Sequence, residues 1–220
     1  MVEPTSPATG YRLLLPSDWV QVPLRQGDAE ESVRSIVNSA FSRVPTDVPR
    51  DKLTPLRLDL ERRLRAAVAD ARKADALELY LPMRLAGEAN LGASIIVSET
   101  LVPARTSPDT TTGRGSDPTE IALRLLAGDR AADMDVSSGE VDGALAVRRE
   151  RVAPAAAAAD RGTEMAGRRV DYFMSVPGDP ARWFVAAFST IGAGDPRDDL
   201  ADALVEWFDA LMTTFRWSWT

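Results

Sequence analysis

A chain of 220 residues with 45% hydrophobic content can bury one sizeable core, and its formal charge of −7 repels phosphate backbones, so nucleic acid is not an expected partner. Cysteine and histidine are both absent, which removes disulfides, thiolate nucleophiles, sulfur ligands, the commonest general base and the commonest metal ligand. No uninterrupted apolar run reaches the roughly 18 residues of a membrane span, and Met1 to Tyr11 carries neither a basic nor an apolar leader segment, so a cytoplasmic location is expected.

Residues 1–10 are small and polar and predict a flexible tail ahead of a single domain over 11–220. Residues 11–15 and 19–24 are short apolar runs either side of Pro16-Ser17-Asp18, which predicts two strands joined as a hairpin. The period then changes: Val33, Ile36, Val37, Ala40, Phe41 and Val44 recur at helical spacing, and Pro45 and Pro49 end the run. Thr54 as N-cap and Pro55 at the first helical position announce a second helix, with Leu53 and Leu58 as its hydrophobic staple. Its apolar face reads Leu56, Leu60, Leu64, Ala67, Val68 and Ala71.

Two strands follow, over 76–82 and 91–99, the second carrying Ile95-Ile96-Val97, with Gly87 and Asn90 as turn formers between them. Residues 103–117 are polar and aperiodic and predict a mobile loop. Asp117-Pro118-Thr119-Glu120 opens a short helix that Gly128 closes. Strand-like alternation then covers 133–136, 144–152, 169–176 and 183–190, with turns expected at Ser138-Gly139 and Pro177-Gly178. Pro154 and Gly162 confine the alanine run at 155–159 to a loop or a single turn. Asp195-Pro196 caps a last helix whose stripe is Leu200, Leu204, Trp207, Phe208, Leu211 and Phe215.

Candidate chemistry is sparse. Asp133-Met-Asp135 begins like a calcium loop, with Asp129 nearby, but the sixth place is Ser138 and the twelfth is Ala144, so no metal site is assigned. Gly113-Arg-Gly115 meets Pro118 where a phosphate loop needs glycine, and no other cofactor motif occurs. Glu78, Glu99, Glu150, Asp171, Glu206 and Asp209 supply carboxylates that a hydrolase could pair, but a chain with 33 acids makes such pairs by chance. The cluster Arg148-Arg149-Glu150-Arg151 reads as a solvated strand end. Tryptophan is the remaining signal: Trp19 and Trp207 read as core, while Arg216, Trp217 and Trp219 in the tail are assigned to partner contact. Trp19, Trp183 and Phe188 are assigned to a ligand pocket between sheet and helices.

Leu13-Leu-Leu-Pro-Ser-Asp-Trp19 near the start and Phe208-Asp-Ala-Leu-Met-Thr-Thr-Phe-Arg-Trp217 at the finish resemble the PsbP-type superfamily, which takes in PsbP, Mog and LpqN-like proteins. The resemblance implies an α+β fold, a three-layer α/β/α sandwich with a mainly antiparallel sheet of about six or more strands and a C-terminal amphipathic helix. It implies adaptors and assembly factors rather than a shared catalytic set, and no family site residue can be carried over. The long second helix, the polar loop at 103–117 and the missing leader and anchor cysteine depart from the pattern. The abundance of arginine and alanine over Lys52 and Lys73 implies a GC-rich, actinobacterial genome. The expectation is a non-catalytic protein-binding adaptor of the bacterial cytoplasm, accessory to secretion or envelope assembly. A carrier of a small apolar ligand and a carboxylate-dependent hydrolase are the alternatives.

Overall fold

The computed structural model describes residues 6–25, 27–42, 49–83, 92–102, 117–127, 134–153 and 166–219. Nine strands and four helices are present among them: β1 Gly10–Arg12, β2 Trp19–Pro23, α1 Ala29–Ser42, α2 Arg50–Lys73, β3 Ala76–Pro82, β4 Ala93–Leu101, α3 Pro118–Ala127, β5 Met134–Val141, β6 Ala144–Ala153, β7 Gly167–Val176, β8 Asp179–Thr190, α4 Asp199–Met212 and β9 Arg216–Ser218. Seven strands form one antiparallel sheet in the order β2-β3-β4-β8-β7-β6-β5, and β1 with β9 forms a separate ribbon. This is the α+β class with a mainly antiparallel sheet that the residue pattern and the resemblance led us to expect.

Strand alternation sorts the core onto two faces. Ile95, Val97, Ala146, Val170, Met174, Phe184, Ala186 and Phe188 meet α4 through Leu204, Val205, Phe208, Leu211 and Met212. On the opposite face, Val22, Ala76 and Leu79 meet α1 and α2 through Val33, Ile36, Val37, Val68 and Ala71. Further along that face, Val147 and Trp183 meet α3 through Ile121 and Ala122. Helices on both faces of one sheet make three layers.

The N-terminal hairpin is not formed. Tyr11 pairs with Trp217, and β2 pairs with β3 instead, although Trp19 N–H still closes a turn on the Pro16 carbonyl at 3.0 Å. Local turn chemistry was therefore present, but a hairpin would have left β9 without a partner. Ala8 is buried and Thr9 N–H donates to the Ser218 carbonyl at 2.9 Å, so the end of the expected flexible tail is fixed. Helix α2 starts a turn before the expected cap: Pro49 is its N-cap and Pro55 lies inside it. Leu56 and Leu58 are exposed, and Val68 and Ala71 in the second half carry the packing.

Ser138-Gly139 sits within β5, and the turn falls at Asp142-Gly143, both at positive φ. Asp-Gly is the dipeptide a two-residue type I′ hairpin loop selects. The predicted turn at Gly87 and Asn90, the loop at 103–116, the alanine run at 155–159 and the endings at Pro45 and Gly128 lie outside the described residues.

Helix α4 is capped by Asp198 rather than Asp195. Its Oδ1 accepts from Ala201 N–H and its Oδ2 from Ala193 N–H, both at 2.7 Å. Gly192 lies at φ +59°, where an added Cβ would stand 2.4 Å from Asp198 Oδ1, so the approach needs glycine twice over. The Ala201 N–H, ahead of other backbone donors, holds the Asp198 carboxyl below its ordinary pKa. A depressed carboxyl stabilises the fold above its unfolded pKa of about 3.9 and loses that contribution as pH falls through the folded value. Asp198→Ala should therefore lower Tm at neutral pH by a margin that shrinks in acid, read by calorimetry across pH; a margin independent of pH would contradict this assignment.

Candidate functional site

The two ends of the chain close over the α4 face as a clasp. Tyr11 stacks on Phe215 with centroids 5.6 Å apart, and Phe184 meets Tyr11, Phe215 and Trp217 at 4.6, 5.3 and 5.7 Å. Trp217, assigned above to partner contact, is 6% exposed and belongs to this core; Trp219, two residues on, is 45% exposed. The reason is the strand itself: alternation in β9 turns Trp217 inward and Arg216 outward. Asp142, at the β5–β6 hairpin tip, accepts the Trp217 backbone N–H at 2.8 Å and lies 3.7 Å from the Arg216 guanidinium.

Beneath the clasp is a cleft of about 380 Å³, lined by Tyr11, Glu78, Glu99, Arg182, Phe184 and Trp217 among others. Both Tyr11 and Tyr80 donate to Glu78 Oε2, their hydroxyls lie 2.8 Å apart, and Gln21 donates to Glu78 Oε1 at 2.5 Å. Burial, then the neighbouring Tyr80 and Glu78, pushes the Tyr11 hydroxyl pKa up; burial and the bond to Glu78 do the same for Tyr80. Arg182 donates to the Ala8 carbonyl and lies 3.8 Å from Glu99 and 3.6 Å from Asp179.

The Arg148 to Arg151 cluster does not simply solvate a strand end. Alternation sends Arg148 toward α4, where it holds Asp209 through two bonds of 2.9 Å and Glu150 at 2.6 Å. Desolvation opposes the charge on Arg148, but Asp209 and Glu150 outweigh it and raise its pKa. Tyr172 also donates to Asp209 at 2.9 Å; burial first, then Asp209, raises its pKa. Arg168 bridges Glu150 and Asp202. On the other face, Asp171 is 0% exposed between Arg169 at 2.6 Å and Arg149 at 3.2 Å, and Arg149 lies 4.9 Å over the Phe173 ring.

Of the candidate carboxylates, Glu78 is thus held by phenols, Glu150, Asp171 and Asp209 by arginines, and Glu206 is exposed. Glu78 and Glu99 share the clasp cleft. Nothing in the sequence pointed to Tyr11 as a partner of Glu78 or to Arg148 as a partner of Asp209, because they lie 67 and 61 residues away and follow no local motif.

Trp19, Trp183 and Phe188 do not line one pocket. Trp183 lies on the α3 side of the sheet, Phe188 on the α4 side, and Trp19 stacks on Trp207 at 4.9 Å, with Trp207 meeting Phe188 at 6.3 Å. An odd separation along one strand puts residues on opposite faces, which the reading of 183 and 188 overlooked. Asp129, Asp133, Gly113 and Gly115 lie outside the described residues, and no metal-sized cluster of acids occurs among the described residues.

The sheet ends at β5, and among the described residues no strand pairs with its outer edge. A two-residue type I′ loop closes on a hydrogen-bonded pair, here Val141 with Ala144. Alternation from that pair turns the N–H and C=O groups of Met134, Val136, Ser138 and Glu140 outward. The other edge, β2, is five residues long and ends in Pro23.

No family model and no curated protein matches the chain. Among solved structures, LpqN, described as involved in cell envelope biogenesis of Mycobacterium tuberculosis, aligns at a TM-score of 0.46 and 11% identity over 98% of this chain and 86% of that one. This likeness is too distant to carry an argument about function. Among the described residues no helix is long and apolar enough to cross a membrane.

Two outcomes are expected. Asp171→Ala leaves Arg149 and Arg169 half-buried without their shared anion and should cost about 3–5 kcal/mol in denaturant unfolding; a change under about 1 kcal/mol would show the triad to be dispensable. The chain has three tyrosines, and Tyr11, Tyr80 and Tyr172 all have raised pKa values. Unfolded tyrosines ionise near pH 10, so above that pH the unfolded state binds fewer protons than the folded one and stability falls. Tyrosinate absorbance should appear together with loss of near-UV circular dichroism, and reversible ionisation near pH 10 in an intact fold would contradict the assignment.

Proposed function

We propose that the chain is a non-catalytic protein-binding module of the bacterial cytoplasm, which takes an extended segment of its partner alongside β5. The observation that carries this reading is the eight-residue outer edge of β5, free of proline, with four residues directing backbone donors and acceptors away from the sheet. Strand addition supplies main-chain hydrogen bonds without a catalytic group, which suits a chain whose carboxylates Glu150, Asp171 and Asp209 are tied into ion pairs.

Charge names the partner more closely. Asp135 and Glu140 are exposed along β5 and the chain carries a formal charge of −7, which favours a segment with lysine or arginine and disfavours a second copy. Membership of the PsbP-type superfamily, and an accessory role in secretion or envelope assembly, belong to the same reading and rest on the resemblance of the two chain ends.

Ser138→Pro removes an outward N–H and should leave the fold intact, because an edge strand tolerates proline where its N–H faces solvent. Ser137→Pro removes an inward one and should destabilise the β5–β6 ladder. A partner captured from native cells should be lost with Ser138→Pro, and in the reconstituted complex the amides of Val136, Ser138 and Glu140 should gain protection from hydrogen exchange. Capture unaffected by Ser138→Pro, or protection confined to another surface, sinks the reading.

A further inference from the structure

The β5 edge carries a glycine that no described part of the chain requires. Among the described glycines, Gly139 alone has neither a positive φ nor a neighbour within 4 Å of the place its Cβ would take. Glycine inside a strand weakens it, and where neither a turn nor close packing calls for one it marks a place that something else approaches. The partner of Gly139 across the ladder is Ala146, which packs in the α4 core, so the missing Cβ points to the α4 side of the sheet. On that side is a cleft of about 380 Å³, lined by Ser137, Gly139, Val141, Asp142, Tyr172 and Asp209 among others. Ser137 and Gly139 are exposed and Val141 and Tyr172 half-buried, so this surface is open to a strand arriving at the edge.

The charges facing the cleft already have partners. Asp209 holds Arg148 and the Tyr172 hydroxyl, Asp142 holds the Trp217 N–H with Arg216 3.7 Å away, and Arg148 also faces Glu150 and Asp135. Glu140, the remaining acid of the lining, points to the α3 side by alternation. Even with Arg168 on Glu150 the acids outnumber the arginines, so an anionic side chain is repelled. A further cation would meet carboxylates that are already paired, and gains little at an exposed site. What is left unmatched is the bare backbone of Gly139, with Val141 beside it on the same face. Gly139 bonds inward to β6, so toward a new strand it is a non-hydrogen-bonded position, where opposite Cα atoms stand only about 4.5 Å apart. A ring laid across an edge glycine covers its exposed backbone. Every pair in this sheet is antiparallel. We infer, resting on the reading that a partner strand joins β5, that the segment runs antiparallel and lays an aromatic side chain across Gly139, with basic residues facing Asp135 and Glu140.

Capped peptides Lys-Xaa-Thr-Thr-Val-Lys, antiparallel to β5 with their lysines facing Glu140 and Asp135, place Xaa opposite Gly139. Peptides with Trp, Ala, Lys or Glu at Xaa are titrated against the full chain and followed by nuclear magnetic resonance. The amides of Val136, Ser138 and Glu140 report strand addition itself, and the Gly139 Hα that stands in the Cβ position reports a ring over it. The Trp peptide should bind about three- to ten-fold more tightly than the Ala peptide, and it alone should move that Hα upfield. Gly139→Val takes the place of the ring and should keep or raise Tm while abolishing the advantage of Trp; Ser137→Val, on the same face two residues away, should preserve it. If no peptide moves the three amides, or if they shift with protein concentration before any peptide is added, so that a second copy covers the edge, strand addition by a partner fails and this inference with it. If the peptides bind alike, if Lys outbinds Trp, or if Gly139→Val lowers Tm or leaves the advantage of Trp intact, strand addition stands and the aromatic position opposite Gly139 is overturned.

Discussion

The pairing of the chain's two ends is the constraint on which the α4 side of the molecule depends. Tyr11 opposite Trp217 brings together residues from the opposite extremes of the sequence, and the rings they carry close over Phe184 and Phe215. Without that ribbon the end of the sheet beyond α4 would face water, because α4 stops at Met212. Phe184 is 1% exposed and Phe215 is 1% exposed only because the clasp lies over them. The ribbon itself has three residue pairs, too few to stand alone, so clasp and core stabilise each other. A contact of such sequence separation has a high loop-closure cost and gains nothing until the sheet beneath it exists.

The same logic explains which parts of the fold were legible in the sequence. Strand β3 keeps the expected bounds of 76–82 in a leucine-rich run with Tyr80, and helix α3 begins on the Asp117-Pro118 opening, whose Asp117 Oδ1 accepts from Thr119 N–H at 2.9 Å. The Pro16 turn was also legible, but not the partner of the strand before it. Period and turn chemistry report what a segment is; they do not report what it pairs with, and β1 lacks any feature that names β9. The Asp142-Gly143 turn was legible and was missed, Ser138-Gly139 being read in its place. A phase error of that kind moves the end of a strand without changing its faces.

Site residues were less legible for a related reason. Trp217 and Trp219 look alike in sequence, and what separates them is the end of β9 at Ser218, which leaves Trp217 inside the strand and Trp219 beyond it. Trp183 and Phe188 were assigned to one pocket, yet they share a strand and five positions of alternation put the sheet between them. The carboxylates were read as a crowd. Their individual fates depend on which arginine the register places opposite, as with Arg149 across from Asp171 in the β6–β7 pair.

Arginine pairing on both faces bears on what is left for function. Arg148 and Arg168 hold α4 to the sheet through Asp209, Glu150 and Asp202, and Arg149 and Arg169 neutralise Asp171 on the opposite face. A carboxylate held between guanidiniums is a poor general acid, since its charged form is the one its neighbours favour. The outward backbone of the β5 edge has no such partner among the described residues. Its donors and acceptors are fixed by secondary structure rather than by flexible side chains, so they would meet an extended segment with little ordering cost. Recognition, rather than proton transfer, is the work for which groups of that kind are suited.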